Sequence, residues 1–188
     1  GVNSIGHCAR MDNLLHSGTY LSTQFNYAIT AIATQIDGIT LFFQRVNSIT
    51  PFAVNSSNID CDNNKIADLP ALPSSLKQLN CTYNRLTELP TLPSGLERVW
   101  CIHNNMTTLP TLPKSLVILN CSNNRLQSLP TLPRSLEILD CADNRLVALP
   151  TLPNSLVRLY CNSNPPLTRL PDIPAHLKDL RCDKYVEN

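Results

Sequence analysis

The strongest constraint on the fold of this chain is a repeat with a period of 20 residues. Seven of its eight cysteines mark that period, at Cys61, Cys81, Cys101, Cys121, Cys141, Cys161 and Cys182. The last interval is 21 residues, because Pro165–Pro166 adds one residue to that repeat. Self-similarity at a period near 20 is typical of a solenoid, in which each repeat forms one coil and packs only against its neighbours. The period therefore predicts a stack of similar coils.

The apolar residues within each repeat predict a short strand followed by a bend. Leu76, Leu79 and Cys81 have the spacing of residues that point inward from a strand, while the residues between them point outward. An asparagine follows three residues after the cysteine, where stacked amide side chains can satisfy backbone groups that leave the sheet. This asparagine recurs at Asn84, Asn104, Asn124, Asn144 and Asn164. The pattern L-x-x-L-x-C-x-x-N-x-L is that of a leucine-rich repeat.

The other side of each coil is predicted to contain no helix. Twelve of the fifteen prolines fall in pairs such as Pro90 and Pro93 of the segment Leu89-Pro90-Thr91-Leu92-Pro93. Proline lacks a backbone donor and restricts the residue before it, so these returning legs should run extended or as polyproline II. The predicted fold is a leucine-rich repeat solenoid with one curved parallel β-sheet on its concave side.

The N-terminal part of the chain has a different pattern. Residues recur at the spacing of one face of an amphipathic helix at Leu21, Phe25, Ala28, Ile29, Ile32, Ala33 and Ile36. We therefore predict that residues 1–35 form a lead-in with a capping helix and that residues 36–188 form the solenoid, with about eight coils by the repeat count. Residues 36–55 are interpreted as a degenerate first coil, with Leu41 in the place of the cysteine and Thr40 beside Asp60.

The cysteines are predicted to be reduced and buried. Seven of them sit at an inward strand position, where cysteine behaves as a small hydrophobic residue. Side chains of neighbouring parallel strands do not converge as a disulfide requires, and a straight column cannot supply four tetrahedral zinc ligands. We therefore expect no metal site and a reducing compartment.

Composition and motifs argue against several classes of function. The chain carries 15 basic and 14 acidic residues, so its net charge of +1 does not predict nucleic-acid binding. It contains no run of eighteen apolar residues, which argues against a membrane span. No phosphate-binding loop, paired carboxylates or metal-ligand spacing is present, so we expect no enzyme activity, no cofactor and no small-molecule ligand.

The outward strand residues predict a protein-binding surface on the concave face. They differ from repeat to repeat, whereas the inward positions stay apolar. Tryptophan, tyrosine and arginine are enriched at interface hot spots. Two groups of candidate binding residues stand out: Tyr83, Arg98, Trp100 and His103 in the middle of the chain, and Asp140, Asp143, Arg158 and Tyr160 further on.

The repeat resembles that of a family of bacterial type III secreted effectors. The resemblance rests on Leu-Pro-x-Leu-Pro-x-Ser-Leu, as in Leu129-Pro130-Thr131-Leu132-Pro133-Arg134-Ser135-Leu136, and covers residues 36–182. The family includes YopM and the IpaH/SspH ubiquitin ligases. It implies secretion, injection into the host cytoplasm, a role in virulence, and repeats that bind host proteins. The cysteine at the third apolar position departs from the family's usual repeat.

Two functions remain open. The favoured one is a protein-binding module that recognises a host or self protein through its concave face. The alternative is the substrate-recognition domain of an IpaH/SspH-type E3 ubiquitin ligase, because in that branch of the family the repeats choose the substrate and restrain a catalytic domain. That catalytic domain is not in this chain, and Cys182 belongs to the repeat ladder.

Overall fold

The computed structural model describes residues 56–184 in full and residues 20–21, 28–31, 40–42 and 48–49 as backbone strands. No helix occurs in these parts of the chain. The strands are β1 (Tyr20–Leu21), β2 (Ala28–Ala31), β3 (Thr40–Phe42), β4 (Ser48–Ile49), β5 (Asn58–Asp60), β6 (Gln78–Asn80), β7 (Arg98–Trp100), β8 (Ile118–Asn120), β9 (Ile138–Asp140), β10 (Arg158–Tyr160) and β11 (Asp179–Arg181).

The main sheet is parallel and has eight strands in the order β3, β5, β6, β7, β8, β9, β10 and β11. From β5 to β10, each residue lies beside the residue 20 positions later, as Asn58 lies beside Gln78 and Asn80 beside Trp100. A smaller sheet has the order β1, β2, β4, with β1 antiparallel and β4 parallel to β2. The stack of parallel strands confirms the predicted leucine-rich repeat solenoid.

The core is one continuous column of inward side chains. The central residue of each strand from β5 to β10 is at most 1% exposed: Ile59, Leu79, Val99, Leu119, Leu139 and Leu159. The six cysteines from Cys61 to Cys161 are free and fully buried, as predicted, whereas Cys182 is only half-buried. Neither face of a middle coil reaches water, so the apolar area that one coil buries depends on both neighbours.

The predicted asparagine ladder is present. Asn84 Nδ2 donates to the carbonyl oxygens of Cys61 at 2.8 Å and Cys81 at 3.1 Å, and its Oδ1 accepts from the N–H of Ile66 at 3.0 Å. One side chain thus satisfies backbone groups of two successive coils. The same bonds recur, each one repeat further on, at Asn104, Asn124, Asn144 and Asn164.

A second ladder closes the returning legs. A turn ends each leg, in which a leucine N–H donates to the proline carbonyl three residues earlier, as Leu116 does to Pro113 at 3.1 Å. The serine before that leucine reaches back to the preceding coil: Ser115 Oγ donates to the carbonyl of Leu96 at 2.7 Å. Ser135 and Ser155 make the same bond at 2.7 Å, to the carbonyls of Leu116 and Leu136.

Gly95 occupies this serine position in its own coil, which gives a prediction. A Cβ added there would meet only the flexible Lys77 side chain, with Nζ at 3.3 Å and Cε at 3.9 Å, and the φ of Gly95 lies outside the left-handed region. Gly95→Ser should therefore raise the free energy of unfolding by about 1 kcal/mol, through a new bond to the carbonyl of Leu76 and lower chain entropy in the unfolded state. Urea unfolding measures this. Gly95→Ala supplies the entropy change alone, so a serine variant no more stable than the alanine variant would contradict the proposed bond.

The predicted amphipathic helix over residues 21–36 is wrong where the structure describes that segment. Leu21 belongs to β1 and Ala28–Ala31 form β2, paired with each other in an antiparallel arrangement. Ile29 and Thr30 are β-branched, which favours a strand over a helix. The rest of the predicted helix lies outside the described residues. The boundary between residues 1–35 and 36–188 stays a prediction.

The register predicted for the first coil is also wrong, by two residues. Leu41 lies beside Ile59 rather than Cys61, and Thr40 lies beside Asn58 rather than Asp60. A slip of two residues keeps every side chain on its own face of the strand, whereas a slip of one would exchange the faces. The pattern of apolar residues therefore could not distinguish the two registers.

Candidate functional site

The outward face of the main sheet consists of parallel rows of side chains, which together we call the concave face. The central row is formed by the last residue of each strand from β5 to β11: Asp60, Asn80, Trp100, Asn120, Asp140, Tyr160 and Arg181. The inner row is formed by the first residue of each of these strands: Asn58, Gln78, Arg98, Ile118, Ile138, Arg158 and Asp179. Most of these side chains are half-buried, in contrast to the buried residue between them.

A third row, which we call the lip row, lies three residues after the central row and adopts a left-handed backbone conformation. Its φ values lie between 51° and 57° at Asn63, Tyr83, His103, Asn123, Asp143 and Ser163. Asparagine, aspartate and histidine tolerate this conformation better than other side chains do, so its cost in backbone energy is greater at Tyr83 than at its neighbour His103. Their rings stack with centroids 4.4 Å apart and planes inclined by 13°. Tyr83 is also 55% exposed, so this pair presents an aromatic surface to solvent.

The sequence reasoning missed one row of the concave face. Asp62, Thr82 and Ile102 lie two residues after the central row. They line a shallow depression of about 520 Å³. The alternation of a strand, continued from residues 58 and 60 to 62, would have identified this row. The depression is lined by Asn58, Ile59, Asp60, Asp62, Gln78, Asn80, Thr82, Tyr83, Trp100 and Ile102.

Trp100 stands between two amides that hydrogen bonds hold in place. On one side, Asn80 Nδ2 donates to Asp60 Oδ1 at 3.0 Å, and its Oδ1 accepts from the N–H of Thr82 at 3.2 Å. On the other side, Asn120 Nδ2 donates to Asp140 Oδ2 at 3.0 Å. Burial raises the pKa of both Asp60 and Asp140 above the usual value. The two amides that flank Trp100 are therefore oriented by the protein itself.

The structure brings together most of the first predicted group. Trp100 and Tyr83 line the same depression, and His103 stacks on Tyr83. Arg98 belongs to the same strand as Trp100 but does not line the depression, and its guanidinium lies 3.9 Å from the carboxylate of Glu97.

The second predicted group is connected mainly to β11, which the prediction did not include. The hydroxyl of Tyr160 donates to Asp179 Oδ2 at 2.5 Å, and the guanidinium of Arg181 lies 4.6 Å from the centre of the Tyr160 ring. Asp140 lies beside Tyr160 in register, and Arg158 is exposed on the inner row. Asp143 is an exposed lip-row residue.

The described residues offer little for catalysis. Burial raises the pKa of the thiols of Cys81 and Cys161 to about 12 and raises those of Cys61, Cys101, Cys121 and Cys141 as well. These six thiols are protonated at neutral pH and face the core, so none can act as a nucleophile there. Within residues 56–184, no group of three His, Cys, Asp or Glu side chains could hold a metal ion.

No helix in the described part of the chain is long and apolar enough to cross a membrane.

The solved structures that are similar to this chain include bacterial effectors. No protein-family model and no curated protein matches the chain. Among solved structures, YopM from Yersinia enterocolitica WA-314 is 38% identical, with a TM-score of 0.72 over 74% of this chain and 32% of that one. A Shigella effector leucine-rich repeat domain is 31% identical, with a TM-score of 0.57 over 67% of this chain and 60% of that one. This chain thus spans about a third of YopM and 60% of the Shigella domain.

Proposed function

We propose that this leucine-rich repeat solenoid, similar to the repeats of YopM and of a Shigella effector, binds one partner protein through its concave face. The observation that carries the proposal is the contrast between the two sides of each strand. The inward positions keep the same few apolar side chains from coil to coil, whereas the outward rows differ at almost every coil. A uniform core does not require the outward side chains to differ from coil to coil. Their variation therefore supports a role in recognising a partner.

The partner is proposed to be a host protein in the host cytoplasm, reached by secretion from a bacterium. The similarity to two bacterial effectors supports this location. The column of free thiols supports it too, because a chain with this many unpaired cysteines suits a reducing compartment.

Trp100 is proposed as the centre of the binding surface. It lies on β7, with β5 and β6 on one side and β8 to β11 on the other, so neighbouring side chains can exclude water around its contact. Asn80 and Asn120, which flank it, are already oriented by their hydrogen bonds to Asp60 and Asp140. A large aromatic side chain on a fixed surface loses little entropy on binding.

We predict that Trp100→Ala weakens partner binding by about 2 kcal/mol or more, which corresponds to a roughly 30-fold rise in the dissociation constant. The fold should remain intact, because the side chain points away from the core. A partner captured from host-cell extract would be purified and its affinity measured by calorimetry for wild type and variant.

The matched control is Thr131→Ala, an exposed residue on a returning leg. It should leave the affinity unchanged. If Trp100→Ala binds like wild type while Thr131→Ala loses affinity, the partner uses the returning side and the concave face is the wrong surface. Circular dichroism of both variants separates lost contact from lost folding.

A further inference from the structure

We propose that the depression beside Trp100 receives an arginine side chain of the partner, held by the carboxylates of Asp60 and Asp62 and by the faces of Trp100 and Tyr83. This inference rests on the proposed function and adds the chemistry of one contact. The depression combines negative charge with exposed aromatic surface, and a guanidinium satisfies both at once.

The two carboxylates have no positive partner within residues 56–184. No described lysine or arginine forms an ion pair with Asp60 or Asp62. Asp60 is oriented by protein donors, with Asn80 Nδ2 at 3.0 Å and the N–H of Asp62 at 3.3 Å from its Oδ1. Burial raises the pKa of Asp60, and the negative charge of the neighbouring Asp62 raises it further. A cation placed here would relieve that repulsion.

The aromatic side of the depression is rigid. Asp60, Asn80 and Trp100 lie in register on three adjacent strands, so Trp100 stands about 10 Å from Asp60 across the sheet. The stacking partner His103 holds the Tyr83 ring at the lip of the depression. A planar guanidinium can stack on an indole while its edge donates to carboxylates, whereas an ammonium group cannot make both contacts in this way.

The other side of Trp100 provides an internal comparison. Asp140 occupies the same repeat position as Asp60 and is likewise bonded to an asparagine. There, however, the positive charge of Arg181 opposes the rise in the pKa of Asp140. Arg181 forms its ion pair with Asp179, at 3.9 Å, but its charge still acts on Asp140, whereas no described cation acts on Asp60. We therefore assign the partner's cation to Asp60 and Asp62.

Trp100 is the only tryptophan of the chain, so its fluorescence and its indole N–H resonance report on this depression directly. The probe is N-acetyl-arginine methylamide, titrated into the full chain at neutral pH. The expected result is a saturable change with a dissociation constant on the order of 1 mM, because a single charged group contacts one small site.

The citrulline analogue, which has nearly the same shape without the charge, should give no saturable change, and the lysine analogue should bind at least about threefold more weakly. Equal binding of the citrulline analogue would overturn the proposal without any variant.

The variants locate the contact. Asp60→Asn and Asp62→Asn should each weaken arginine binding by about threefold or more, and the double variant should abolish it. Asp172→Asn, which removes one negative charge from an exposed position on a returning leg, is the control and should bind arginine like wild type. A double variant that keeps wild-type affinity would refute the assignment.

Failure of this inference is distinguishable from failure of the proposed function. If arginine does not bind while Trp100→Ala still loses the partner protein, the depression has another occupant and the concave face stands. If arginine binds but Trp100→Ala leaves the affinity for the partner protein unchanged, the arginine site exists and the proposed binding face is wrong.

Discussion

The free energy of unfolding is expected to fall by about 8 kcal/mol between roughly pH 8 and pH 10, because six buried thiols ionise more readily in the unfolded chain. Burial raises the pKa of Cys81 and Cys161 from 9.0 to about 12 and raises the pKa of the other four in the same direction. As the pH passes 9.0, the unfolded state releases protons that the folded state keeps. The contribution of the thiols to the free energy of unfolding is therefore fully present below this pH and is lost as the pH rises above it. Each thiol contributes about 1.4 kcal/mol over this interval.

Urea unfolding under reducing conditions at a series of pH values measures this loss. Cys121→Ala removes one thiol, so its stability should fall by about 1.4 kcal/mol less than that of wild type over the same interval. The ionisation of lysine and tyrosine is common to both proteins and cancels in the difference. A wild-type stability that stays flat up to pH 10, or equal pH dependence in the two proteins, would show that the thiols are not shielded from water.

Replacing Asn124 by alanine is expected to lower the free energy of unfolding by about 3–5 kcal/mol. Asn124 Oδ1 accepts from the N–H of Met106 at 3.1 Å, and its Nδ2 donates to the carbonyls of Cys101 at 2.9 Å and Cys121 at 3.1 Å. The carbonyls also accept from neighbouring ladder asparagines, but Met106 is fully buried and its N–H would lose this acceptor. An unsatisfied buried donor costs about 1–3 kcal/mol, and each lost bond adds to that.

Asn124→Asp tests which end of the amide matters. Aspartate can still accept from Met106, but its carboxylate would face carbonyl oxygens in a buried place, so we expect a larger loss than with alanine at neutral pH and a smaller one in acid. Asn105→Ala is the control, because Asn105 makes no side-chain hydrogen bond to a described residue. Its stability in urea should change by less than about 0.5 kcal/mol. Equal losses at Asn124 and Asn105 would mean that the ladder contributes nothing specific.

The repeat allows the coils from β5 to β10 to be predicted from the sequence, because each repeat position has one structural role, either burial in the core or hydrogen bonding to the backbone. Each repeat has a cysteine near a buried leucine and an asparagine three residues after the cysteine. Few backbone conformations bury the first two and hydrogen-bond the third when the coils must also stack. Cys182 shows the limit of this reasoning: it holds the repeat position but is half-buried, and the neighbouring Leu180 is 36% exposed. Among the described strands, β11 pairs on one side only, with β10, and the pattern within one repeat does not contain that information.

The parts that the sequence did not predict correctly depend on contacts that the repeat pattern does not specify. The helix predicted from the spacing of apolar residues over 21–36 is wrong where β1 and β2 are found. The pairing of these two strands overrides a weak local preference for helix. In the candidate site, the link from Tyr160 to Asp179 and Arg181 depends on rotamers rather than on row positions. The binding roles of the predicted residues and the ligase alternative stay predictions.

The regular offset of 20 residues between paired strands has a consequence for how such a protein can change over generations. The strands from β5 to β10 all pair at the same offset. An in-frame loss of residues 106–125 would therefore join Asn105 to Leu126, and the strands that become neighbours would pair in the same register as before. Recombination between repeats can therefore shorten or lengthen the surface in steps of about 4.8 Å while the backbone pairing is inherited unchanged. The outward surface can therefore change by one whole coil in a single step, without any substitution in the coils that remain.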